Sequence, residues 1–301
     1  MIDHADIDSV AARSLVLAAP RAVVNCSRFV TGKYPNQGPV LLLDAGIELF
    51  ETDQDLIQDL VDGEPVFEKS GTWFRSDGSP ISGLHRVDRD CISRRLEDAR
   101  QNLDVEITRF ARNTIEFLER PDERSLLLET PDLPNIQTSM SGRHVLIAVR
   151  GPGFERDLKR LLSYVQDRKP VIIAVDGAAD ALAELGLSVD VLIGDMDSVS
   201  DRGLKTAREI VVHAYVSRAG GGIQAPGADR VTSLGLQHHL FPVPGTSEDA
   251  AMILAYEKGA DLIVAVGSHS NLEDFLDKGR GGMASTFLVR LKVGSRLVDA
   301  R

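Results

Sequence analysis

The sequence predicts an α/β fold: a parallel sheet, preceded by a small α/β domain and a long connecting helix. Three observations predict it. From about residue 142, short apolar runs such as "HVLIAV", "VIIAV" and "DLIVAV" alternate with helical patterns, as strands buried on both faces require. Residues 86–119 contain neither Gly nor Pro, so one helix can run through them. Upstream, short helices and strands are separated by glycines and by Ser-Gly and Asp-Gly turns. The resulting divisions are 1–84 for the small domain, 85–141 for the helix and linker, and 142–301 for a Rossmann-like sheet.

Taken in order, residues 8–18 carry a helical pattern stopped by Pro20, and "AVVN" at 22–25 reads as a strand. A helix from Pro39 closes at Gly46, "IELF" is a strand, and a helix over 53–61 closes at Gly63. "PVFEKSGTWFRSDGSPI" reads as short strands joined by turns. The 86–119 helix repeats Ile92, Leu96, Ala99, Leu103, Ile107, Phe110 and Phe117 on one stripe, over a length on the order of 50 Å. Two readings fit that stripe: a helix lying on its own domain's core, or a seam between two copies of the chain.

In the last zone "HVLIAV" is a strand, 154–165 a helix, "VIIAV" a strand, and the next helix closes at Gly186. "DVLI", a helix over about 200–208, "EIVVHAY" and a short "HLFPV" follow. A helix over 247–258 then leads to "DLIVAV", read as the last strand, and "MASTFLVRLKVG" reads as helix.

Composition excludes several classes. With 45 acidic against 34 basic side chains the net charge is -11, which argues against a nucleic-acid polymer as partner. Cys26 and Cys91 are the only cysteines, too few for a disulfide framework, so a reducing compartment is expected. The acidic start "MIDHADIDSV" has no secretory pattern, and no apolar run is long enough to cross a bilayer.

Ligands of parallel α/β sheets bind beyond the carboxyl ends of the strands, and chemistry-bearing residues gather there. "VIIAV" ends in Asp176-Gly177, and "DVLI" ends in Gly194-Asp195-Met196-Asp197-Ser198. "DLIVAV" ends in Gly267-Ser268-His269, and "FPVPG" leads into Thr246-Ser247-Glu248-Asp249. "RHVLIAV" ends in Arg150-Gly151-Pro152-Gly153. Paired carboxylates repel, so Asp195 and Asp197 at one strand end imply a hard cation. Mg²⁺ suits them, since it takes one or two carboxylates and completes its shell with water and phosphate oxygens. The expected set is Asp195 and Asp197 as metal ligands, helped by Asp176. Gly177, Gly194, Ser198, Thr246, Ser247, Glu248, Asp249, Gly267 and His269 are candidates around a nucleotide or other phosphorylated ligand. Ser198 also has the ordinary reading of a helix cap, "GTSEDAA" that of a cap with acids at the helix dipole, and His269 that of a loop histidine. "RAGGGIQAPG" lacks the ending of a phosphate-binding P-loop, "RGPGF" lacks the third glycine of a dinucleotide fingerprint, and no Ser-His-Asp set is evident.

"DGAADAL" at 176–182 followed by "DVLIGDMDS" at 190–198 resembles the catalytic domain of thiamine pyrophosphokinases. There an Asp-Gly-Gly-Ala-Asn turn and a Gly-Asp-x-Asp-Ser loop hold ATP, Mg²⁺ and substrate. The pattern departs where the kinases carry Thr-Asp-x-Glu-Lys and Gly-Gly-Arg-x-Asp-His. Here Ser247-Glu248-Asp249-Ala250 has no lysine and "GSHSNLEDF" stands at 267–275. Over the whole chain, "VVNCSRFVTGKYPNQGP" (23–39), "FARNTIEFLER" (110–120), "GTSEDAAMILA", "FLDKGRGGMASTFLVRLKVG" (275–294) and "RLVDA" resemble the SteA cytokinetic-ring proteins of bacteria. Their usual Pro-Asp-Gly-x-Ala-Pro-Gly loop is replaced by the longer "VSRAGGGIQAPG".

That resemblance implies a division-site protein and a SteB-type membrane partner. It also implies a cytoplasmic location at the inner face of the membrane, if a C-terminal membrane segment follows. The functional expectation is a scaffold or sensor that binds Mg²⁺ with a nucleotide, acting as a homodimer. The alternative is a thiamine diphosphokinase, and a dehydrogenase is a distant third.

Overall fold

The computed structural model describes residues 1–52, 60, 63–69, 72–151, 153–216, 222–268 and 283–300. The helix expected over 53–61 and the candidate His269 lie outside the described residues. The described residues form two compact units, one of Met1–Phe110 and one that takes in 111–268 and 283–300.

The first unit opens with α1 (Ser9–Ala18), capped by the Asp8 carboxylate accepting from the Ala11 amide. β1 (Ala22–Asn25), α2 (Gly38–Asp44, with Pro39 in its first turn) and β2 (Glu48–Thr52) follow. β3 (Val66–Lys69), β4 (Thr72–Arg75) and β5 (Pro80–Ile81) form a small antiparallel meander. β6 (Leu84–Val87) returns to β2, giving the order β1-β2-β6.

The stretch 23–39 folds around buried polar groups. Asn25 donates to the His4 carbonyl, Asn36 bonds the Ile7 and Phe29 carbonyls, and Glu51 accepts from the Phe29 amide at 2.8 Å and from Arg95 at 2.6 Å. These bonds fix a loop that has no regular ladder of its own.

The long helix α3 is Arg89–Leu118, shorter than expected at its start. Arg86 and Val87 pair instead with Phe50 and Leu49 of β2, and Asp88 caps the helix by accepting from the Cys91 amide at 2.8 Å. Ile92 and Leu96 join the first unit's core with Phe29, Leu42 and Leu49. The early part of the stripe therefore lies on its own domain. Further along, Val105, Ile107 and Ile115 are exposed.

The second unit has α4 (Pro121–Leu128), β7 (His144–Ala148), α5 (Phe154–Arg160), α6 (Leu162–Arg168), β8 (Val171–Val175), α7 (Ala178–Glu184), β9 (Val191–Gly194) and α8 (Asp201–Thr206). It continues with β10 (Glu209–Val216), β11 (Ile223–Gln224), α9 (Pro226–Ser233), β12 (His239–Pro242), α10 (Ser247–Glu257), β13 (Leu262–Val266), α11 (Ala284–Val293) and β14 (Leu297–Ala300). The sheet runs β10-β9-β8-β7-β13-β14, with β12 parallel and β11 antiparallel along the outer side of β10. It is a mixed α/β fold with a mostly parallel sheet.

Alternation divides the core. Val145 and Ile147 of β7 face one layer with Ala251 and Leu254 of α10, while Leu146 and Ala148 face the other with Leu158 and Leu182.

Two further expectations need correction. The helix expected over 154–165 is two helices, separated at Leu161, whose amide bonds both Asp157 and Leu158 carbonyls. β13 is not the last strand. β14 pairs with it in parallel from Ile263↔Leu297 to Val266↔Ala300, held by Asp299 to Arg290 of α11 at 2.7 Å.

Candidate functional site

β8 and β9 are parallel neighbours, so their carboxyl ends stand side by side. The Asp176 amide extends the ladder by one bond, donating to the Ile193 carbonyl at 3.0 Å. The chain then turns in a left-handed conformation, φ 47, which Asp tolerates better than most residues. This turn lays the Asp176 carboxyl across Gly194. A Cβ at Gly194 would stand 1.7 Å from Asp176 Oδ1. Gly194 therefore makes room for a neighbouring carboxyl.

Asp176 Oδ1 accepts from the Met196 amide at 3.1 Å, and the nearby Ser247 side chain also favours the ionised form of this carboxyl. Burial, then the negative charge of Asp195 and, more weakly, Asp197, push Asp176 up to about 7 against both of these. Asp195 and Asp197 belong to one tight turn, with the Asp197 amide donating to Asp195 Oδ1 at 3.1 Å and Met196 buried between them at φ 67. Asp195 is half-buried and Asp197 exposed. α9 backs the turn: Arg230 donates to the Met196 carbonyl and pairs with Asp201, and Gly227 packs on the Asp195 carbonyl.

Ser198 does not cap α8. Its hydroxyl accepts from the Gly177 amide at 3.2 Å, and the cap is Ser200, whose hydroxyl accepts from the Gly203 amide and whose own amide donates to Asp180 at 2.8 Å. Gly177 is hemmed by the Ser198 carbonyl and the Arg150 guanidinium, which a Cβ would meet at 2.7 and 2.9 Å. Arg150 thus brings a positive charge to the turn that follows β8.

The "TSED" residues divide. Ser247 joins Asp176, whereas Thr246 and Asp249 close a capping box on α10. Asp249 is fully buried, and one of its oxygens accepts from Ser285 at 2.9 Å. Burial, then Glu248, raises its carboxyl above the ordinary range. Glu248 pairs with Arg290 at 3.6 Å. These three serve α10 and its packing on α11, not the aspartate turn.

Gly267, at φ 72, lies beyond β13 with room for no Cβ, since one would stand 2.0 Å from the Val149 carbonyl. Its role is close packing of β13 against β7. Asp176, Gly177, Gly194, Asp195, Asp197, Ser198 and Ser247 are the expected residues that the fold brings to one edge.

His213 was not singled out by the sequence. It is a fully buried polar residue on β10, bonded through Nε2 to the Val243 carbonyl at 2.9 Å and through Nδ1 to Ser247 Oγ at 3.3 Å. Burial holds its pKa below the ordinary value, against the pull of the Val243 bond and of Asp249 and Asp195. A lone polar residue inside the apolar run "EIVVHAY" was the available signal, because a buried polar group needs a partner.

No family model matches the chain, and no curated protein matches it. Among solved structures, thiamine pyrophosphokinase from Bacillus subtilis is similar at 19% identity and a TM-score of 0.31, over 52% of this chain and 59% of that one. The chain thus spans less than two thirds of that structure's length, and a likeness so slight assigns no activity.

Proposed function

We propose that this chain binds a nucleotide or related phosphorylated ligand through Mg²⁺ at Asp195 and Asp197, with Asp176 beside them, and serves as a scaffold or sensor in bacterial cell division. The carrying observation is Asp176, a carboxyl held near neutrality by burial and by Asp195. A divalent cation would relieve that repulsion. The donors are all oxygens, as a hard cation requires. Among the described residues no group of three or more His, Cys, Asp or Glu side chains is placed to hold a metal ion. An ion that fills most of its shell with water and phosphate oxygens needs no such group. Arg150 offers the phosphate a counter-charge. The division-site role and a SteB-type membrane partner rest on the resemblance of stretches such as 23–39 and 110–120. Among the described residues, no helix is long and apolar enough to cross a membrane.

Calorimetry with Mg²⁺ and ATP, ADP or inorganic phosphate tests the reading. We expect binding that disappears without the cation and weakens at least about tenfold in Asp195→Asn, the loss of roughly one charge-assisted contact. Thiamine added to the Mg²⁺-ATP mixture should give no diphosphate, since "SEDA" lacks the kinases' lysine. Turnover abolished by Asp195→Ala would return the enzyme reading.

Assembly as a homodimer belongs to the same proposal, supported by Val105, Ile107 and Ile115 standing exposed along α3. Light scattering should give about twice the chain mass, and Ile107→Glu should halve it without lowering the melting temperature. A monomeric wild type overturns this part.

A further inference from the structure

The geometry points to Ser247 as a nucleophilic serine with His213 as its base, suited to taking a phosphoryl group from a phosphoric anhydride. The Val243 carbonyl can only accept a hydrogen bond, so His213 Nε2, 2.9 Å away, carries the ring proton. The lone pair is then on Nδ1, and it meets Ser247 Oγ at 3.3 Å. Facing that lone pair the hydroxyl is the donor to His213, and its single proton is then not available to the neighbouring Asp176 carboxyl. This is the nucleophile–base–orienter arrangement of covalent catalysis, with a backbone carbonyl as the orienting group. His213 is fully buried and its ring leans on Tyr215, with centroids 5.1 Å apart, so the imidazole cannot swing away. Ser247 itself is only partly buried and lies at the edge where the aspartates converge.

In the step, Ser247 Oγ forms a bond to phosphorus as its proton passes to His213 Nδ1. The bond from phosphorus to the leaving group breaks, and the leaving group departs with the electron pair. A nucleoside triphosphate would leave phosphoserine and the diphosphate. The imidazolium would then donate from both nitrogens, to the Val243 carbonyl and to the new ester oxygen. Burial disfavours that charge, and the Val243 bond with Asp249 and Asp195 offsets part of the cost.

The choice of a phosphoric anhydride as donor rests on the phosphate-binding reading above, but the activated hydroxyl does not. The test therefore uses diisopropyl fluorophosphate on the full chain without any cation, read by intact mass and peptide mapping. Fluoride is the leaving group. We expect one adduct, on Ser247, and none in Ser247→Ala. In His213→Gln the labelling rate should fall about 100-fold, as expected for loss of a general base. Ser198 and Ser285 are internal controls, neither having a histidine partner among the described residues. If His213→Gln fails to fold, preference for Ser247 over those two serines in the wild type decides the matter. No adduct on Ser247, labelling spread evenly over the serines, or a folded His213→Gln labelled at the wild-type rate would each overturn the assignment. Mg²⁺-nucleotide calorimetry on the same preparation reports separately on the phosphate site.

Discussion

Asp176→Asn is expected to melt higher than the wild type at pH 8 and alike near pH 3. The native carboxyl titrates at about 7 rather than 3.8, so the folded protein binds this proton more tightly than the unfolded chain. The sign follows from linkage. Below both values the carboxyl is protonated in either state and contributes no difference. Between about pH 4 and 7 only the unfolded chain releases the proton, and stability falls as pH rises. Above about 7 the full penalty is present. A shift of roughly three units corresponds to about 4 kcal/mol at most, and solvent at the partly exposed edge lowers this to about 2 kcal/mol. For a unit of this size that is a gain of about 4–8 °C. Asn keeps an acceptor for the Met196 amide and tolerates the left-handed turn, so the gain isolates the charge. Mg²⁺ with ATP should raise the wild-type melting temperature at pH 8 and leave Asp176→Asn nearly unmoved. A pH-independent difference between the two proteins would falsify the electrostatic origin. A site that destabilises the empty protein is the usual mark of a group retained for its ligand.

The parts of this fold visible in the sequence are those where one physical requirement dominates. "VIIAV" and "HVLIAV" are buried on both faces, and such runs admit few readings other than a central strand. β14 was hidden because "LVDA" has only one edge paired, leaves Val298 exposed and carries Asp299 for an ion pair with Arg290. The start of α3 was misplaced because Arg86 and Val87 have no local reason to be extended. Their pairing with β2, more than thirty residues away, overrides helical preference. At the site, strand-end position was enough to collect Asp176, Asp195 and Asp197. It was not enough to separate Ser247 from Glu248 and Asp249, since consecutive residues on a helix point about 100° apart, and only the packing of α10 shows which of them meets Asp176. His213 and Asp180 lie within ordinary elements, and only their partners mark them.

Gly267→Ala and Gly194→Ala should fail in opposite ways, although both sit at candidate positions at the carboxyl ends of strands. A methyl at Gly267 would stand 2.0 Å from the Val149 carbonyl and 2.8 Å from Phe154 Cδ2, in a backbone at φ 72. The carbonyl belongs to the chain following β7, whose neighbour in the sheet is β13, so neither partner can retreat without breaking the ladder. Overpacking costs about 1–3 kcal/mol and a left-handed alanine about 1 kcal/mol more. The sum of about 2–4 kcal/mol lowers the melting temperature by roughly 5–15 °C for a unit of this size. At Gly194 the obstacle is a side chain, the Asp176 carboxyl at 1.7 Å, and a side chain can rotate. Gly194→Ala should therefore expel that carboxyl towards water. The backbone at φ 159 adds strain of its own, but the excess protonation of Asp176 should vanish, flattening stability between pH 4 and 7. Mg²⁺-nucleotide binding should be lost together with the carboxyl's position, while Gly267→Ala, measured well below its melting temperature, should still bind. Paired melts across pH and calorimetry on both variants make the comparison. If Gly194→Ala kept both the wild-type pH slope and ligand binding, Asp176 would have no part in the site.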